Sequence, residues 1–229
     1  MTIETVRNWS LPVFRARTFH GSRYMMPSQQ MTIVSEQTLD GRQQRSQRTR
    51  AAVARAMIDC IRDGALRPSA KQVALRARVS TRAVFRHFEN MEALLLEATQ
   101  IHLDTIAPLV PRIETSGNLA SRIRSFARHW TTFFEHSEEL WRSTTLTLPF
   151  SQMLQGFQRW QRAVIAEQLQ ESFASEFKAM KPTVRNRREQ NLRAIISDNY
   201  WAELRDHQKL SVAEAKRSIE EALRSLLTN

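Results

Sequence analysis

The stretch Ser69–Glu92 reads SAKQVALRARVSTRAVFRHFENME, and it decides how the rest of the chain folds. Ala70, Val73, Ala74 and Ala77 recur at helical spacing, and Val79 follows just after them. Ser80 then offers a side-chain oxygen to cap a second helix, in which Val84 and Phe88 point the same way. Two helices of about two turns each cannot bury a core alone, so they require flanking helices to lean on. Their outer faces carry Lys71, Arg76, Arg78, Thr81, Arg82, Arg86 and His87. Apolar side chains inward and cations outward on two short helices joined by a turn is the arrangement that reads a DNA major groove.

Charge supports that reading. Between Gly41 and Glu89 twelve Lys and Arg stand against Asp59, Asp63 and Glu89, so this stretch holds +9 of the chain's net +11. A basic module beside nearly neutral sequence points to a polyanion as the partner of that module alone. The bland alternative is a merely solvated basic face, and the coincidence with the two-helix motif argues against it.

Ala74, Ala77, Val79, Ser80, Val84, Phe85, Phe88, Glu92, Ala93 and Leu94 fall, without gaps, in the order and spacing of a known pattern. It resembles the DNA-binding segment of the tetracycline-repressor (TetR) family, I-A-x-x-A-G-V-S-x-x-x-L-Y-x-Y-F-x-x-K-E-x-L. The resemblance covers residues 47 to 96. Arg78 stands where the family usually has the turn glycine, Phe85 and His87 replace two tyrosines, and Met91 replaces a lysine. Arg78 must therefore accept the turn's backbone angles at modest cost. The resemblance implies an all-α fold: an N-terminal three-helix helix-turn-helix domain over residues 44–92 and a C-terminal helical effector-binding and dimerisation domain over residues 93–229. Residues 1–43, where isolated apolar residues hold no period, are expected to be a disordered arm, a transit-peptide-like segment or a misread start. Met25, Met26 and Met31 are alternative first residues.

Outside the motif the chain reads as helices throughout, and five glycines leave little room for tight turns. Val53, Met57, Ile58 and Ile61 stripe a helix from Gln47 to Arg62 that Gly64 ends. Asn90 caps the next, striped by Leu94, Leu95, Ala98, Ile101 and Thr105 and ended by Pro108 and Pro111. The family resemblance makes this helix the transmission element. A strong stripe follows over Leu119–Phe134, Ser137 is expected to open a separate shorter helix, and Pro149 interrupts before a long helix from Phe150 to Leu169. Pro182 precedes two final helices, one striped by Val184, Leu192, Ile195, Ile196, Tyr200 and Leu204. The other opens on a Ser211–Glu214 capping box.

Candidate site residues fall into three groups. Arg48, Thr49, Lys71, Ser80, Thr81 and Asn90 are expected to fix the DNA backbone. Arg82 and Arg86, with Phe85 or His87 beside them, are expected to reach base edges. Most aromatics between 126 and 177 are expected to be core; Trp130, Phe134, Trp141, Phe157 and Trp160, with His102 and His129 as polar anchors, are the candidates to line a cavity for an unknown small apolar effector. Leu192, Ile195, Ile196, Tyr200, Ile219, Leu223 and Leu226 are expected to pair with a second copy in a four-helix homodimer interface. A palindromic double-stranded operator is the matching partner, with half-sites ~34 Å apart.

Other chemistries find no support. There is no G-x-G-x-x-G, G-x-x-x-x-G-K, H-E-x-x-H or G-x-S-x-G. Cys60 is the sole cysteine, which excludes an intrachain disulfide and cysteine-rich zinc sites. No apolar run approaches the ~20 residues of a membrane span. The expectation is a cytoplasmic regulator, neither an enzyme nor a holder of metal or cofactor, most simply a repressor released by an effector. The alternative is a nonspecific nucleic-acid-binding or nucleoid-type dimer.

Overall fold

A computed structural model describes residues 41–228, all of them helix or short connection; the expected N-terminal arm lies almost wholly outside the described residues. Helix α1 (Gly41–Arg62) turns its apolar stripe, Val53, Ala54, Met57, Ile58 and Ile61, into a core closed by α2 (Ala70–Arg76), α3 (Thr81–His87) and α4 (Met91–Ile106). It begins at Gly41, six residues before its periodicity does, because its first two turns are polar and exposed and carry no apolar signal. Val73, Ala74, Val84, Phe88, Leu94, Leu95 and Ala98 complete this core, and Leu140 and Leu154 of the C-terminal half join the same cluster. The two halves thus share packing across α4.

Caps set the boundaries of the short helices. Ser69 and Gln72 form a capping box at α2, Ser80 accepts from the Ala83 amide at 3.1 Å, and Asn90 Oδ1 accepts from the Ala93 amide at 2.8 Å. Arg78 takes the left-handed backbone (φ 55°) that the turn demands. Its amide donates to Leu75 O at 3.2 Å and the Val79 amide to Ala74 O at 2.9 Å, which together form a Schellman closure of α2.

The C-terminal half comprises α5 (Leu119–Thr147), α6 (Gln152–Ala179), α7 (Pro182–Ile195), α8 (Asp198–Ala202) and α9 (Val212–Leu227). Three helix boundaries in this half differ from the sequence reading. Ser137 does not open a new helix: α5 runs unbroken past it, and the serine is buried on the helix's inner face. Conversely, the stripe from Val184 to Leu204 is not one helix. It breaks at Ile196–Ser197, restarts with Ser197 capping α8, and relaxes into a π-turn over Glu203–His207. Pro149 sits in a 3-10 turn (Leu148–Phe150) before α6, which leaves Phe150 81% exposed instead of opening the helix.

Buried polar ties lock the bundle. Arg122 of α5 pairs bidentately with Glu176 of α6 (Nη1–Oε2 2.9 Å, Nη2–Oε1 2.5 Å) and also donates to Ser172 O at 2.5 Å. The next residue, Phe173, has non-helical angles (φ −129°, ψ 27°), so Arg122 takes up a carbonyl beside the kink in α6. Glu176 holds the Arg122 guanidinium above its usual pKa, and Arg122 holds the carboxyl below the usual range.

Four residues of the expected dimer stripe are used inside the chain. Leu192, Ile196, Ile219 and Leu223 are each 0% exposed, packed where α7 and α9 meet α5 and α6. Their side chains are unavailable to a second copy. Ile195, Tyr200 and Leu226 remain half-buried at the surface.

Candidate nucleic-acid interface and adjoining cavity

Helix α3 presents Arg82, Phe85 and Arg86 at i, i+3 and i+4, all exposed, with Phe85 at 50%. A half-exposed phenylalanine between two arginines leaves apolar surface beside cations, the kind of face that thymine methyls and base edges contact. Thr81, at the first position of α3, is exposed beside them, and Lys71 is exposed on the second residue of α2. The Ser80 and Asn90 oxygens cap α3 and α4, so these two residues fix helix N-termini in place. Arg48 is exposed on α1; Thr49 is half-buried and its hydroxyl donates to Arg45 O at 2.9 Å.

His87 is placed differently from the outward cation of the sequence reading. Its ring is half-buried with Nε2 unpartnered, and burial, then Arg86 and Arg50, lower its pKa. It is a neutral residue at the root of the interface. Arg76 is likewise committed, to an ion pair with Asp63.

Arg50 carries a role that the sequence reading missed, having counted it only as charge. From α1 it donates Nε to both Glu97 oxygens (2.9 and 2.8 Å), donates Nη1 to the His87 carbonyl, and lies 4.3 Å from the Phe88 ring centroid. It therefore ties the C-terminal end of α3 to the middle of α4. Ser151, the N-cap of α6, donates its hydroxyl to Glu92 in the first turn of α4.

Further along α4, Thr99, His102 and Leu103 form one wall of a cavity of ≈ 560 Å³, counting the space at its mouth. Phe133, Ser137, Leu140, Trp141, Thr144, Thr145 and Leu148 line it from α5 and the turn beyond. Leu154, Phe157, Gln158 and Gln161 line it from α6, and Asp198 from α8. Its mixture of apolar walls with a few polar groups is the lining that small organic molecules take. His102 is 3% exposed and neither ring nitrogen makes a hydrogen bond. Burial and Arg62 lower its pKa, with the nearby His136 backbone pulling the other way. The buried Ser137 hydroxyl is also unpartnered. Asp198 Oδ2 accepts from Gln161 Nε2 at 3.0 Å, and burial pushes its carboxyl up to about 6.

Of the expected lining residues the cavity brings together His102, Trp141 and Phe157. Trp130 and Phe134 are instead core: they stack with Phe133 at 5.5 and 5.9 Å, and Phe134 reaches Trp201 at 6.3 Å. His129 is buried with Nδ1 2.6 Å from the Pro111 carbonyl, and Trp160 packs on Phe157 at 5.6 Å without reaching the cavity. The polar lining went unread, although Thr99, Ser137, Thr144, Gln158 and Gln161 interrupt apolar faces at helical spacing. Asp198 had no such signal, since its helix starts at an unexpected break.

The described residues thus form an all-α chain in which an exposed basic helix-turn-helix packs through α4 onto a helical bundle that holds a cavity. Residues 61–98 match the family model described as bacterial regulatory proteins, tetR family, over the end of α1, the two short helices and the first half of α4. Among solved structures, a transcriptional regulator from Rhodococcus sp. Rha1 shares the fold. It has a TM-score of 0.59 and 16% identity over 80% of this chain and 95% of that one. No curated protein sequence matches the chain. Among the described residues no helix is long and apolar enough to cross a membrane, and no group of three His, Cys, Asp or Glu is placed to hold a metal.

Proposed function

We propose that this chain is a homodimeric repressor that binds a palindromic operator through α3 and releases it when a small molecule occupies the cavity. The observation that carries the reading is α4. One helix holds the Glu97–Arg50 tie to the end of α3, the Glu92–Ser151 contact to α6, and the Thr99–His102–Leu103 wall of the cavity. A ligand that favours one position of α4 shifts the population of the recognition-helix geometry that fits DNA. Arg82 and Arg86 read base edges, and a bidentate arginine–guanine pair contributes about 1–3 kcal/mol of discrimination. Lys71, Thr81 and Arg48 contact phosphate, and the N-termini of α3 and α4, fixed by Ser80 and Asn90, present amides to it.

The test is selection of bound sequences from a random duplex library, followed by the same measurement on Arg82→Ala and Arg86→Ala. A palindrome with half-sites ~34 Å apart is the expected product. Both variants are expected to lose specific binding while remaining folded dimers. Binding with no consensus but a steep salt dependence would replace this reading with a nonspecific DNA-binding dimer.

A further inference from the structure

We propose that the cavity selects an organic cation, an ammonium-type group on an apolar body, with Asp198 as its counter-charge and the aromatic rings of Trp141 and Phe157 beside it. This rests on the effector reading above and names the chemical class of that effector.

The charge inventory of the walls is one-sided. Among the described residues Asp198 is the sole acid lining the cavity, and no lysine or arginine lines it. The one other titratable side chain in the lining is His102, which burial and Arg62 keep neutral. Asp198 has neutral partners in the Gln161 amide and in its own backbone at the start of α8. Arg162 lies close enough to act on the carboxylate electrostatically, but it is exposed, makes no ion pair among the described residues and does not line the cavity. A carboxylate in that position lacks a compensating cation inside the low-dielectric space, and a ligand cation supplies one.

The other walls fit the same ligand. Phe133, Trp141 and Phe157 present π-systems that attract a cation and tolerate hydrocarbon. The unpartnered His102 nitrogens and Ser137 hydroxyl offer hydrogen bonds to a polar group elsewhere on the molecule. An anionic ligand meets the opposite situation: it would face Asp198 and find no cation in the lining.

The probes are three molecules of nearly one shape: 4-phenylbutylamine, 4-phenylbutanol and 4-phenylbutyrate, titrated into the full-length protein at pH 7.5 by calorimetry. Their effect on the operator complex is followed in parallel. The amine is expected to bind at least ~10-fold tighter than the alcohol, a difference of about 1.4 kcal/mol. The butyrate is expected to bind weakest. In Asp198→Asn the amine's advantage over the alcohol is expected to fall to within about twofold, since the uncharged amide treats the two alike.

An alcohol that binds as tightly as the amine in the unaltered protein overturns the proposal, as does a butyrate that binds tightest or an Asp198→Asn variant that keeps the preference. If the alcohol or the butyrate releases operator DNA and the amine does not, the effector reading stands and the cation assignment falls. If none of the three binds or alters the operator complex, the cation assignment falls as well.

Discussion

Arg78→Gly should make the protein more stable, and the size of the gain follows from one backbone angle. Arg78 sits at φ 55° in the Schellman closure of α2, in the left-handed region that costs a side-chain-bearing residue roughly 1–2 kcal/mol. Glycine removes that cost but gives the unfolded chain more freedom, offsetting about 0.5–1 kcal/mol. The net expectation is a gain of about 0.5–1 kcal/mol, or a melting temperature raised by ~2–3 °C for a chain of this size. Urea denaturation at fixed protein concentration measures it, with Arg78→Ala as the control. Alanine keeps the strained angle and loses the charge, so it should stay within about 0.5 kcal/mol of the original. If alanine stabilises as much as glycine does, the gain comes from relieving repulsion within the basic domain and the backbone argument is wrong. A glycine variant that is less stable refutes it outright.

Three further variants test other contacts. Burial pushes the Asp198 carboxyl up to about 6 from the ordinary aspartate value of 3.8, so between these the folded state keeps a proton the unfolded state has lost. Its contribution to stability therefore falls as pH rises from about 4 to 6 and is flat above; Asp198→Asn should be the more stable protein at pH 7.5, by up to about 3 kcal/mol, with the two converging below pH 4 in denaturation curves. Arg122→Ala leaves Glu176 and the Ser172 carbonyl without their partner and should cost about 3–5 kcal/mol by the same assay; a loss under 1 kcal/mol would show that water replaces the arginine. Arg50→Met removes charged hydrogen bonds worth about 1.5 kcal/mol and should weaken operator binding roughly tenfold through the position of α3. Its salt slope should be unchanged, whereas a slope reduced by about 0.9 would make Arg50 a phosphate ligand instead.

The helix-turn-helix half was legible because its rules are local. Capping oxygens at Ser80 and Asn90, helical spacing at Val73–Ala77 and a basic outer face each act within a few residues, and each appears where it was expected. Arg78 is the instructive position: a non-glycine where a left-handed turn is required, adopting it all the same. His87 misled because its surroundings are not local: Arg50, thirty-seven residues away in sequence, reaches its carbonyl from α1. The C-terminal half was harder. Helices there are amphipathic on more than one side, so periodicity shows that Trp130, Phe134 and Trp141 are inward without saying which faces bundle core and which faces cavity. The same ambiguity put Leu192, Ile196, Ile219 and Leu223 at a subunit interface when the chain's own core takes them up. Local sequence also cannot announce the break at Ile196–Ser197, which swings Asp198 to the cavity wall; Ser197 as an N-cap was the one readable sign.

Under the proposed function, the single helix α4 makes information flow in both directions. Whatever factor the cavity's occupant removes from operator affinity, the operator must remove from the occupant's affinity, because both draw on the same displacement of the same helix. A repressor already seated on DNA is then a duller detector than one in solution. Its threshold for responding depends on how much operator is present as well as on how tightly the cavity grips. A variant that loosens α4 from Arg50 would lower both sensitivities together, so the response range and the DNA grip of such a protein cannot be adjusted independently at that helix.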